Sequence, residues 1–367
     1  MHLKSLKANN FRNLEKISVE FSADLNIIYG DNAAGKSSFL EAITYLISAR
    51  SFRSSKQSTF SNYAASSFDI FGEFSDSSRL GVMYTNKEKT KLVKLNGELV
   101  KSLVEVVNIY PVQSLSPESY HLVDSGPNER RKFLDWILFH VEHRYQKVWS
   151  DYNRMLKQRN ALLRHKSAFD LQVFKTWNKQ FIESAELLNS YRVKIAVELC
   201  EALALVLREL GVSFAEEIKL SYYAGYTGEL ADKLASSLER DRLNGTTQYG
   251  PHKADLKISV NGLFAKDVLS RGQKKVLINC LFLAQTRLLK SKTNKDSLFV
   301  IDDFSSELDE YNQMSLVKAL CAQKNVQIIM SCLQPDMIKQ LIKEYNSVKM
   351  FHVEHGVVKP QNVHIEN

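Results

Sequence analysis

The sequence has no long hydrophobic run and few cysteines. No apolar stretch reaches the roughly 18 to 20 residues that a membrane-spanning helix needs. The first residues, MHLKSLKANNFRN, contain neither the apolar segment nor the small-residue cleavage site of a secretory signal. The four cysteines, Cys200, Cys280, Cys321 and Cys332, form no CxxC pair, which argues against a disulfide framework or a cysteine zinc site. We therefore expect a cytoplasmic protein that has no membrane partner.

The chain does have an excess of positive charge. It carries 49 Lys and Arg against 41 Asp and Glu, a net charge of +8 over 367 residues, which favours an acidic partner such as nucleic acid. Residues 127–166 hold ten of the basic residues and only four acidic ones. Because phosphate neutralisation supplies most of the sequence-independent affinity for DNA, this segment provides our candidates for DNA contact. They are Arg130, Arg131, Lys132, Arg144, Lys147, Arg154, Lys157 and Arg159.

Each of these side chains has a structural alternative. Any of them could be a solvated charge on a helix, and Arg130 and Arg131 could instead hold two lobes together. A zinc site is not expected, because the two HVEH stretches do not have the HExxH spacing.

The order of elements predicts an α/β fold interrupted by helices. Strands come first, ending with the segment VEVVNIYP, and strands alternate with helices again towards the end, which is typical of a parallel sheet flanked by helices. Between these parts, apolar residues recur at helical spacing from Pro127 to about Lys166 and from Asp170 to about Leu210, which predicts two long helices. We therefore predict one lobe from residues 1–118 and 247–367, and an inserted, mainly helical lobe from residues 119–246.

A phosphate-binding loop follows an apolar strand near the start. The residues of the motif are Gly30, Asp31, Asn32, Ala33, Ala34, Gly35, Lys36, Ser37 and Ser38. They stand between a strand and a helix, the context that this pattern requires. Glycines let backbone N–H groups converge on the β-phosphate of ATP, Lys36 neutralises the β and γ oxygens, and Ser37 is predicted to bind Mg²⁺. The alternative is an ordinary glycine turn.

A later strand ends in two aspartates, as a Walker B strand does. SLFVIDDFSSELD places Asp302 and Asp303 directly after an apolar run. Asp302 is predicted to hold Mg²⁺ through water, and Asp303 to orient or deprotonate the attacking water. Paired aspartates after a strand can also simply cap a helix, but the phosphate loop in the same chain favours the catalytic role.

A third motif also faces an anion. LSRGQ, with Ser270, Arg271, Gly272 and Gln273, precedes an apolar helix about thirty residues before the Walker B strand. It resembles the signature motif of the ATP-binding-cassette (ABC) superfamily, which binds the γ-phosphate of ATP held by a second subunit. Ser270 is predicted to cap the helix and donate to phosphate, Gly272 allows close backbone approach, and the helix dipole favours the anion. A plain serine N-cap is the alternative.

Within that superfamily the chain resembles the bacterial RecF family of recombination-repair ATPases over essentially its whole length. The motifs are FRNL at Phe11–Leu14, SPESYHLVDSGPNERRKFLDW at Ser116–Trp136 and YGPHKADL at Tyr249–Leu256. The resemblance implies an α/β, ABC-type ATPase head with a mixed sheet and flanking helices, related to SMC and Rad50 proteins. The inserted helical lobe then becomes a candidate DNA or dimer surface.

The same resemblance implies cofactors and partners. The cofactors are ATP and Mg²⁺, and ATP closes a head-to-tail homodimer on DNA. The family acts with RecR and RecO at duplex DNA near single-stranded gaps, helping RecA load onto strands coated with single-strand-binding protein. By analogy Gln113 takes the Q-loop position near Mg²⁺ and the attacking water, unless it is a polar loop residue, and Asp309 takes the D-loop position that contacts the opposite subunit.

Three positions depart from familiar patterns. Transporter cassettes have Glu where this chain has Asp303, and a His where it has Ser331. A shorter base and a missing His predict slow hydrolysis suited to a release switch, and the family resemblance implies that the ATPase depends on DNA. Ala254 stands where many family members have Asp, which leaves the role of that loop open.

Two other function classes remain open. A transporter's energy-coupling cassette predicts a membrane partner and needs the Glu and His that this chain lacks. A non-hydrolysing DNA-binding scaffold has no need to keep the phosphate loop, the signature motif and the Walker B aspartates together.

Overall fold

A computed structural model describes residues 2–49, 65–164, 171–304, 310–323, 325–334 and 347–361. The strands are β1 Leu3–Phe11, β2 Leu14–Glu20, β3 Leu25–Tyr29, β4 Ser67–Phe74, β5 Arg79–Thr85, β6 Thr90–Leu95, β7 Glu98–Leu99, β8 Val112–Leu115, β9 Ile218–Tyr223, β10 Asp255–Val260, β11 Leu263–Phe264, β12 Ser297–Ile301, β13 Val326–Cys332, β14 Val348–Glu354 and β15 Val357–Gln361. The α-helices are α1 Lys36–Ser48, α2 Leu103–Ile109, α3 His121–Asp124, α4 Pro127–Val141, α5 Tyr145–Arg164, α6 Leu171–Glu209, α7 Leu230–Ser236, α8 Leu238–Asn244, α9 Ala265–Val268, α10 Arg271–Thr293 and α11 Glu310–Cys321. Short 3₁₀ helices span Pro117–Tyr120, Ala215–Glu217 and Pro251–Lys253.

The chain divides into two compact units. The first comprises residues 1–121 and 270–367, and the second residues 122–269. The predicted insertion ends at residue 246, whereas the second unit continues to 269. The extension arises because β10 pairs antiparallel with β9, with Asp255 opposite Tyr223 and Val260 opposite Ile218. The second unit therefore contains a small sheet: the segment FAEEIKLSYY is strand-like in sequence, but its pairing with β10 moves the boundary of the unit beyond the predicted one.

The first unit contains two six-stranded sheets. One is antiparallel, in the order β2-β1-β4-β5-β6-β7. The other has the order β15-β14-β3-β13-β12-β8, with its strands parallel except for β15 at the edge. Strands β12 and β13 are buried along their whole length, which is why they read as continuous apolar runs in the sequence. The predicted α/β fold with a mixed sheet is confirmed.

Helix α1 anchors the phosphate loop to the core of this unit. Ten of its 13 residues are buried. Tyr45 of α1 packs against Phe11 of β1 and Phe68 of β4, with ring centroids 5.7 and 5.6 Å apart, and the same cluster includes Ile28 of β3 and Val300 of β12. Because interiors are close-packed, the loop between β3 and α1 is held at both ends by a rigid core.

The second unit is organised around the long helix α6. It packs against α5, α4 and β9, and a three-stranded sheet in the order β11-β10-β9 completes the unit. In the part of the chain that the structure describes, no helix combines the length and the apolar character needed to cross a bilayer.

The first long helix predicted from the sequence is in fact two helices. Helix α4 ends at Val141 and α5 begins at Tyr145. The Tyr145 hydroxyl donates to Asp135 Oδ1 at 2.6 Å, whereas in one continuous helix these residues would lie about 15 Å apart along the axis. Arg192 of α6 donates to both oxygens of the same carboxylate, each at 2.8 Å. A buried ion pair thus sets the turn, and no Gly or Pro marks it in the sequence.

The segment VEVVNIYP was predicted to be a strand, and this was wrong. It forms α2, which begins after Ser102, whose side chain accepts a hydrogen bond from the Val104 N–H. Only Val106 of this helix is fully buried. Valine-rich segments favour strands in general, but here the serine cap and local packing stabilise a helix. Strand β8 begins three residues after this helix ends.

Candidate functional site

The phosphate loop, the Walker B aspartates and Ser331 lie at one edge of the mixed sheet. Strands β3, β13 and β12 are parallel neighbours. The loop follows β3, Asp302 and Asp303 follow β12, and Ser331 lies near the end of β13, opposite Ile28. The carboxyl ends of parallel strands are where open α/β sheets bind ligands, so local sequence motifs converge here through the pairing of distant strands.

The loop has the backbone conformation of a phosphate cradle. Gly30, Ala33 and Gly35 have φ values of 146°, 64° and 119°. A Cβ on Gly30 would lie 2.2 Å from the Val353 carbonyl oxygen, and one on Gly35 would lie 3.0 Å from Asn13 Nδ2. Glycine is therefore required at both positions, by conformation and by close approach.

Lys36 lies across this loop. Its Nζ donates to the carbonyl oxygens of Gly30 at 2.7 Å and Asp31 at 2.9 Å. Both acceptors are neutral backbone carbonyls, and an anionic phosphate oxygen is a stronger acceptor for the lysine ammonium. The loop and its lysine fit the β- and γ-phosphates of a nucleotide.

Two of the three side chains that the sequence assigns to Mg²⁺, Ser37 and Asp302, are hydrogen-bonded to each other. Ser37 Oγ donates to Asp302 Oδ1 at 3.1 Å, and Asp302 is 5% exposed. Among the described residues there is no group of three or more His, Cys, Asp and Glu side chains that could hold a metal by itself. Mg²⁺ usually keeps several waters and takes only one or two protein ligands together with substrate phosphates, so a hydroxyl and a carboxylate beside a phosphate loop are a fitting donor set.

Ser331 connects the two aspartates. Its hydroxyl donates to Asp302 Oδ1 at 2.8 Å and accepts from the backbone N–H of Asp303 at 2.9 Å, and its carbonyl accepts from the Phe304 N–H at 3.0 Å. Asp303 has φ 56°, a left-handed conformation that few non-glycine residues adopt. The sequence marked Ser331 only as the place of an absent His, because nothing local shows that β13 runs between β3 and β12.

Gln113, predicted at the Q-loop position, has both ends of its side-chain amide hydrogen-bonded. It is 2% exposed, its Nε2 donates to Gln285 Oε1 at 2.7 Å, and the Thr286 hydroxyl donates to its Oε1. Both partners belong to α10. Gln113 pairs with Phe299 in the sheet, two residues before the end of β12. The structure therefore joins this residue to the helix of the signature motif, and its role near Mg²⁺ stays a prediction.

The signature motif forms the exposed N-terminus of α10. Ser270 Oγ accepts from the Gln273 N–H at 3.3 Å, and Gln273 Oε1 accepts from the Ser270 N–H at 2.9 Å, which is a complete capping box. Arg271 and Gly272 lie in the first turn, with Arg271 exposed. An exposed start of a 23-residue helix favours an anion. The predicted D-loop residue Asp309 lies outside the described residues.

Arg159 is a correction to the predicted DNA contacts. Its side chain is fully buried, its Nη1 donates to Asp241 Oδ2 at 2.8 Å and to Thr247 Oγ1 at 2.7 Å, and its Nε donates to Asn178 at 2.9 Å. A guanidinium committed to these partners inside the second unit cannot reach a DNA phosphate. Its role is structural.

Arg130 and Arg131 also have internal partners, all in the second unit. Arg130 forms a two-pronged ion pair with Asp255, at 2.7 and 3.1 Å, and donates to the Ser125 carbonyl at 2.6 Å. Arg131 donates to the Ala254 carbonyl at 2.7 Å. That contact uses the backbone of residue 254 and so does not depend on which side chain stands there. These two arginines fix the start of α4 rather than offering free charge.

The other basic candidates are exposed. They are Lys132, Arg144, Lys147, Arg154 and Lys157. Lys132 pairs with Glu129 at 2.7 Å and Arg154 with Asp151 at 3.1 Å, but exposed pairs one turn apart are weak and can be exchanged for phosphate contacts. Three of these five candidates, Lys147, Arg154 and Lys157, lie on α5.

The chain is similar to known proteins in sequence and in fold over nearly its whole length. The model of the RecF/RecN/SMC N terminal domain family matches residues 2–359. Two proteins named DNA replication and repair protein RecF, from Pseudoalteromonas translucida and Shewanella piezotolerans, are 37% and 38% identical over 97% and 98% of this chain, and over 99% of their own lengths. A solved structure of the recombination mediator protein RecF-ATP in the RecFOR pathway is 28% identical with a TM-score of 0.84, covering 98% of both chains. An SMC head bound to the C-terminal winged-helix domain of ScpA, 14% identical with a TM-score of 0.57 over 100% of this chain and 98% of its own, shares the fold.

Proposed function

This chain belongs to the RecF family of DNA replication and repair proteins, and on that premise we propose that it is an ATP-dependent DNA-binding protein of recombinational repair and replication restart. The observation that carries the proposal is the contact of Ser37 Oγ with Asp302 Oδ1 at 3.1 Å, beside a loop shaped for phosphate. The similar solved structure of RecF-ATP supports the choice of nucleotide. The protein would work in the cytoplasm.

Each residue at the sheet edge has a task in this proposal. The backbone of residues 30–38 would hold the β- and γ-phosphates, Lys36 would neutralise their charge, and Ser37 and Asp302 would hold Mg²⁺. Bound Mg²⁺ supplies charge neutralisation to the phosphate oxygens. Asp303 would orient or deprotonate the attacking water while Ser331 holds its backbone. Because Asp303 is shorter than the usual Glu, hydrolysis is expected to be slow.

The exposed N-terminus of α10 supports a shared nucleotide site. Ser270 and the first-turn N–H groups would bind the γ-phosphate of ATP held by a second copy of the chain. ATP then favours the closed homodimer by linkage, since it binds across two subunits only in that state. Hydrolysis removes the shared phosphate and reopens the dimer, so a slow reaction acts as a release switch.

The proposed ligand of the closed dimer is DNA. The exposed cations of α4 and α5 would contact backbone phosphates of duplex DNA near a single-stranded gap. In the family's pathway the chain would then act with RecO and RecR to help RecA load onto strands covered by single-strand-binding protein. Similarity to DNA replication and repair protein RecF and to solved structures of RecF in the RecFOR pathway supports this assignment.

The decisive experiment is fluorescence anisotropy of a labelled gapped duplex, titrated with protein at one stated salt concentration with ATP or ADP. We expect tighter binding with ATP, lost in Lys36→Ala and in Ser270→Arg, while both variants melt at the wild-type temperature. Phosphate release from the wild type, stimulated by DNA, separates an ATPase from a non-hydrolysing scaffold. DNA affinity that neither nucleotide nor Ser270→Arg alters would refute the ATP-closed dimer.

A further inference from the structure

Helix α5 carries an aromatic and basic concavity that the nucleotide site does not use. It has a volume of about 540 Å³. Its lining residues are Trp149, Ser150, Asn153, Arg154, Lys157 and Gln158. They form two adjacent rows in which successive residues are four positions apart, so they share one face of the helix.

Trp149 is exposed but held in place. It is 38% exposed, and its ring packs edge-to-face with Phe139 at a centroid distance of 5.7 Å. Phe139 in turn packs on the buried Tyr145 at 5.2 Å, and the Trp149 carbonyl accepts from Asn153 Nδ2 at 2.8 Å. A large aromatic ring fixed by its neighbours while open to solvent is a ready surface for stacking, because little conformational entropy is lost on binding.

The charge beside the ring is positive. Arg154 and Lys157 follow Trp149 by five and eight residues, about 8 and 12 Å along the helix axis. Both side chains are exposed. The Arg154 contact with Asp151, at 3.1 Å, joins groups that are 66% and 40% exposed, so its strength is small. One extended strand can therefore contact the ring and both cations.

We propose that this face of α5 binds single-stranded DNA, with an unpaired base stacked on Trp149 and neighbouring phosphates held by Arg154 and Lys157. Proteins that hold single strands without sequence preference combine these two elements, a basic track and aromatic rings. The phosphates of duplex DNA could bind the two cations, but its bases are paired and stacked and cannot stack on the Trp149 ring. An acidic protein segment could likewise bind only the two cations. The inference rests on the proposed function, since a gapped duplex supplies such a strand.

The test compares a labelled oligo-dT with a blunt duplex of equal length, each titrated with full-length protein and ATP over a series of salt concentrations. Trp149→Ala is expected to weaken oligo-dT binding roughly 5- to 150-fold, as loss of one stacked base does, and to leave duplex affinity unchanged. Trp149→Phe should recover much of the loss. Trp177→Ala, on α6 of the same unit, is the matched control and should bind oligo-dT normally.

The cations are tested separately by the slope of log affinity against log salt. Arg154→Gln with Lys157→Gln should reduce the slope for oligo-dT by about 1.4, because each single-strand phosphate contact contributes about 0.7. Trp149→Ala should lower the affinity while the slope stays constant. A charge-only site would show loss in the double variant with no effect of Trp149→Ala, and that result would overturn the proposal.

A second measurement leaves Trp149 in place. The chain has three tryptophans, so Trp136→Phe with Trp177→Phe isolates the Trp149 emission, which oligo-dT should quench and blunt duplex should not. Absence of quenching at saturating oligo-dT contradicts stacking. If the wild type binds duplex in an ATP-dependent manner but Trp149→Ala matches it on oligo-dT, this inference fails alone. If oligo-dT binding depends on Trp149 while nucleotide has no effect on any DNA, the proposed ATP switch fails and the single-strand site stands.

Discussion

Ser331 Oγ donates a hydrogen bond of 2.8 Å to Asp302 Oδ1, and both atoms are buried. The same hydroxyl accepts the Asp303 N–H, so one side chain sets the carboxylate proposed for Mg²⁺ and the backbone of the proposed base. Asp302 also accepts from Ser37, which connects the end of β13 to the first turn of α1. Ser331 is therefore a positioning residue for the hydrolytic step.

Ser331→Ala should slow ATP hydrolysis by roughly tenfold or more, since misplacing a catalytic group by about 1 Å is costly. ATP affinity should stay within about twofold of the wild type, because the phosphate loop is untouched. Ser331→Thr keeps the hydroxyl and should restore much of the rate. Single-turnover phosphate release and nucleotide binding measured on the same samples separate kcat from KM. A wild-type rate in Ser331→Ala would show that the hydrogen bonds do not position the aspartates.

The convergence at the sheet edge shows which parts of the site a sequence can give. The phosphate loop, the Asp302–Asp303 pair and the Ser270 cap are local patterns, each contained in about ten residues. In the structure each lies at the end of a strand or the start of a helix, as the sequence periodicity predicts. The role of Ser331 depends on β13 lying between β3 and β12, a pairing of segments some 300 residues apart along the chain. The contact of Gln113 with α10 likewise depends on tertiary packing that no local pattern shows.

Helical periodicity in the basic segment distinguishes buried from exposed basic residues, which the number of charges alone does not. Along α5 the buried residues are Tyr145, Tyr152, Met155, Arg159 and Leu163. Arg159 thus lies on the apolar stripe of the helix, seven residues after Tyr152, whereas Lys157 lies on the opposite face. Helical periodicity would have separated a buried arginine from a solvated lysine, while total charge could not. Its buried partner Asp241, by contrast, is too distant in sequence to be identified from the pattern.

The pair Arg159 and Lys157 gives a matched test of this distinction. Arg159→Met should destabilise the second unit by about 3–5 kcal/mol, because it leaves the Asp241 carboxylate buried without its cation. Lys157→Met should leave the free energy of unfolding nearly unchanged and weaken DNA binding instead. Urea unfolding followed by circular dichroism measures the first effect, and salt-dependent anisotropy the second. Equal stability of the two variants would contradict the structural role of Arg159.

The glycine at the start of the phosphate loop gives a steric prediction. Gly30→Ala should cost several kcal/mol and abolish nucleotide binding, because its Cβ would lie 2.2 Å from the Val353 carbonyl oxygen and φ is 146°. Gly81→Ala is the control within the same unit, since the nearest atom to its Cβ, Phe71 Cδ2, is 3.9 Å away. Chemical unfolding and ATP titration of both variants test the difference. A Gly30→Ala protein that is stable and binds ATP would refute the close approach.

His252 makes the stability of the second unit dependent on pH. Burial lowers the pKa of its imidazole to about 4. The Tyr152 hydroxyl lies 2.7 Å from Nδ1, and Nε2 donates to the Thr247 carbonyl at 2.9 Å, so the neutral ring satisfies both nitrogens. Other charges act in the same direction, because Lys253, Arg131 and Arg159 all disfavour the imidazolium, while the Thr247 carbonyl opposes them.

The direction of the pH effect follows from proton binding. Between about pH 6.5 and pH 4 the unfolded chain protonates this histidine and the folded chain does not, so stability falls as the pH is lowered through that window, by up to about 3 kcal/mol. His252→Gln cannot take up the proton, and its free energy of unfolding should vary less between pH 7 and pH 4.5 than that of the wild type. Urea titrations of both proteins at several pH values measure the difference, in which the shared titration of carboxylates cancels. Parallel pH profiles for the two proteins would mean that His252 has the same pKa in the folded and unfolded states.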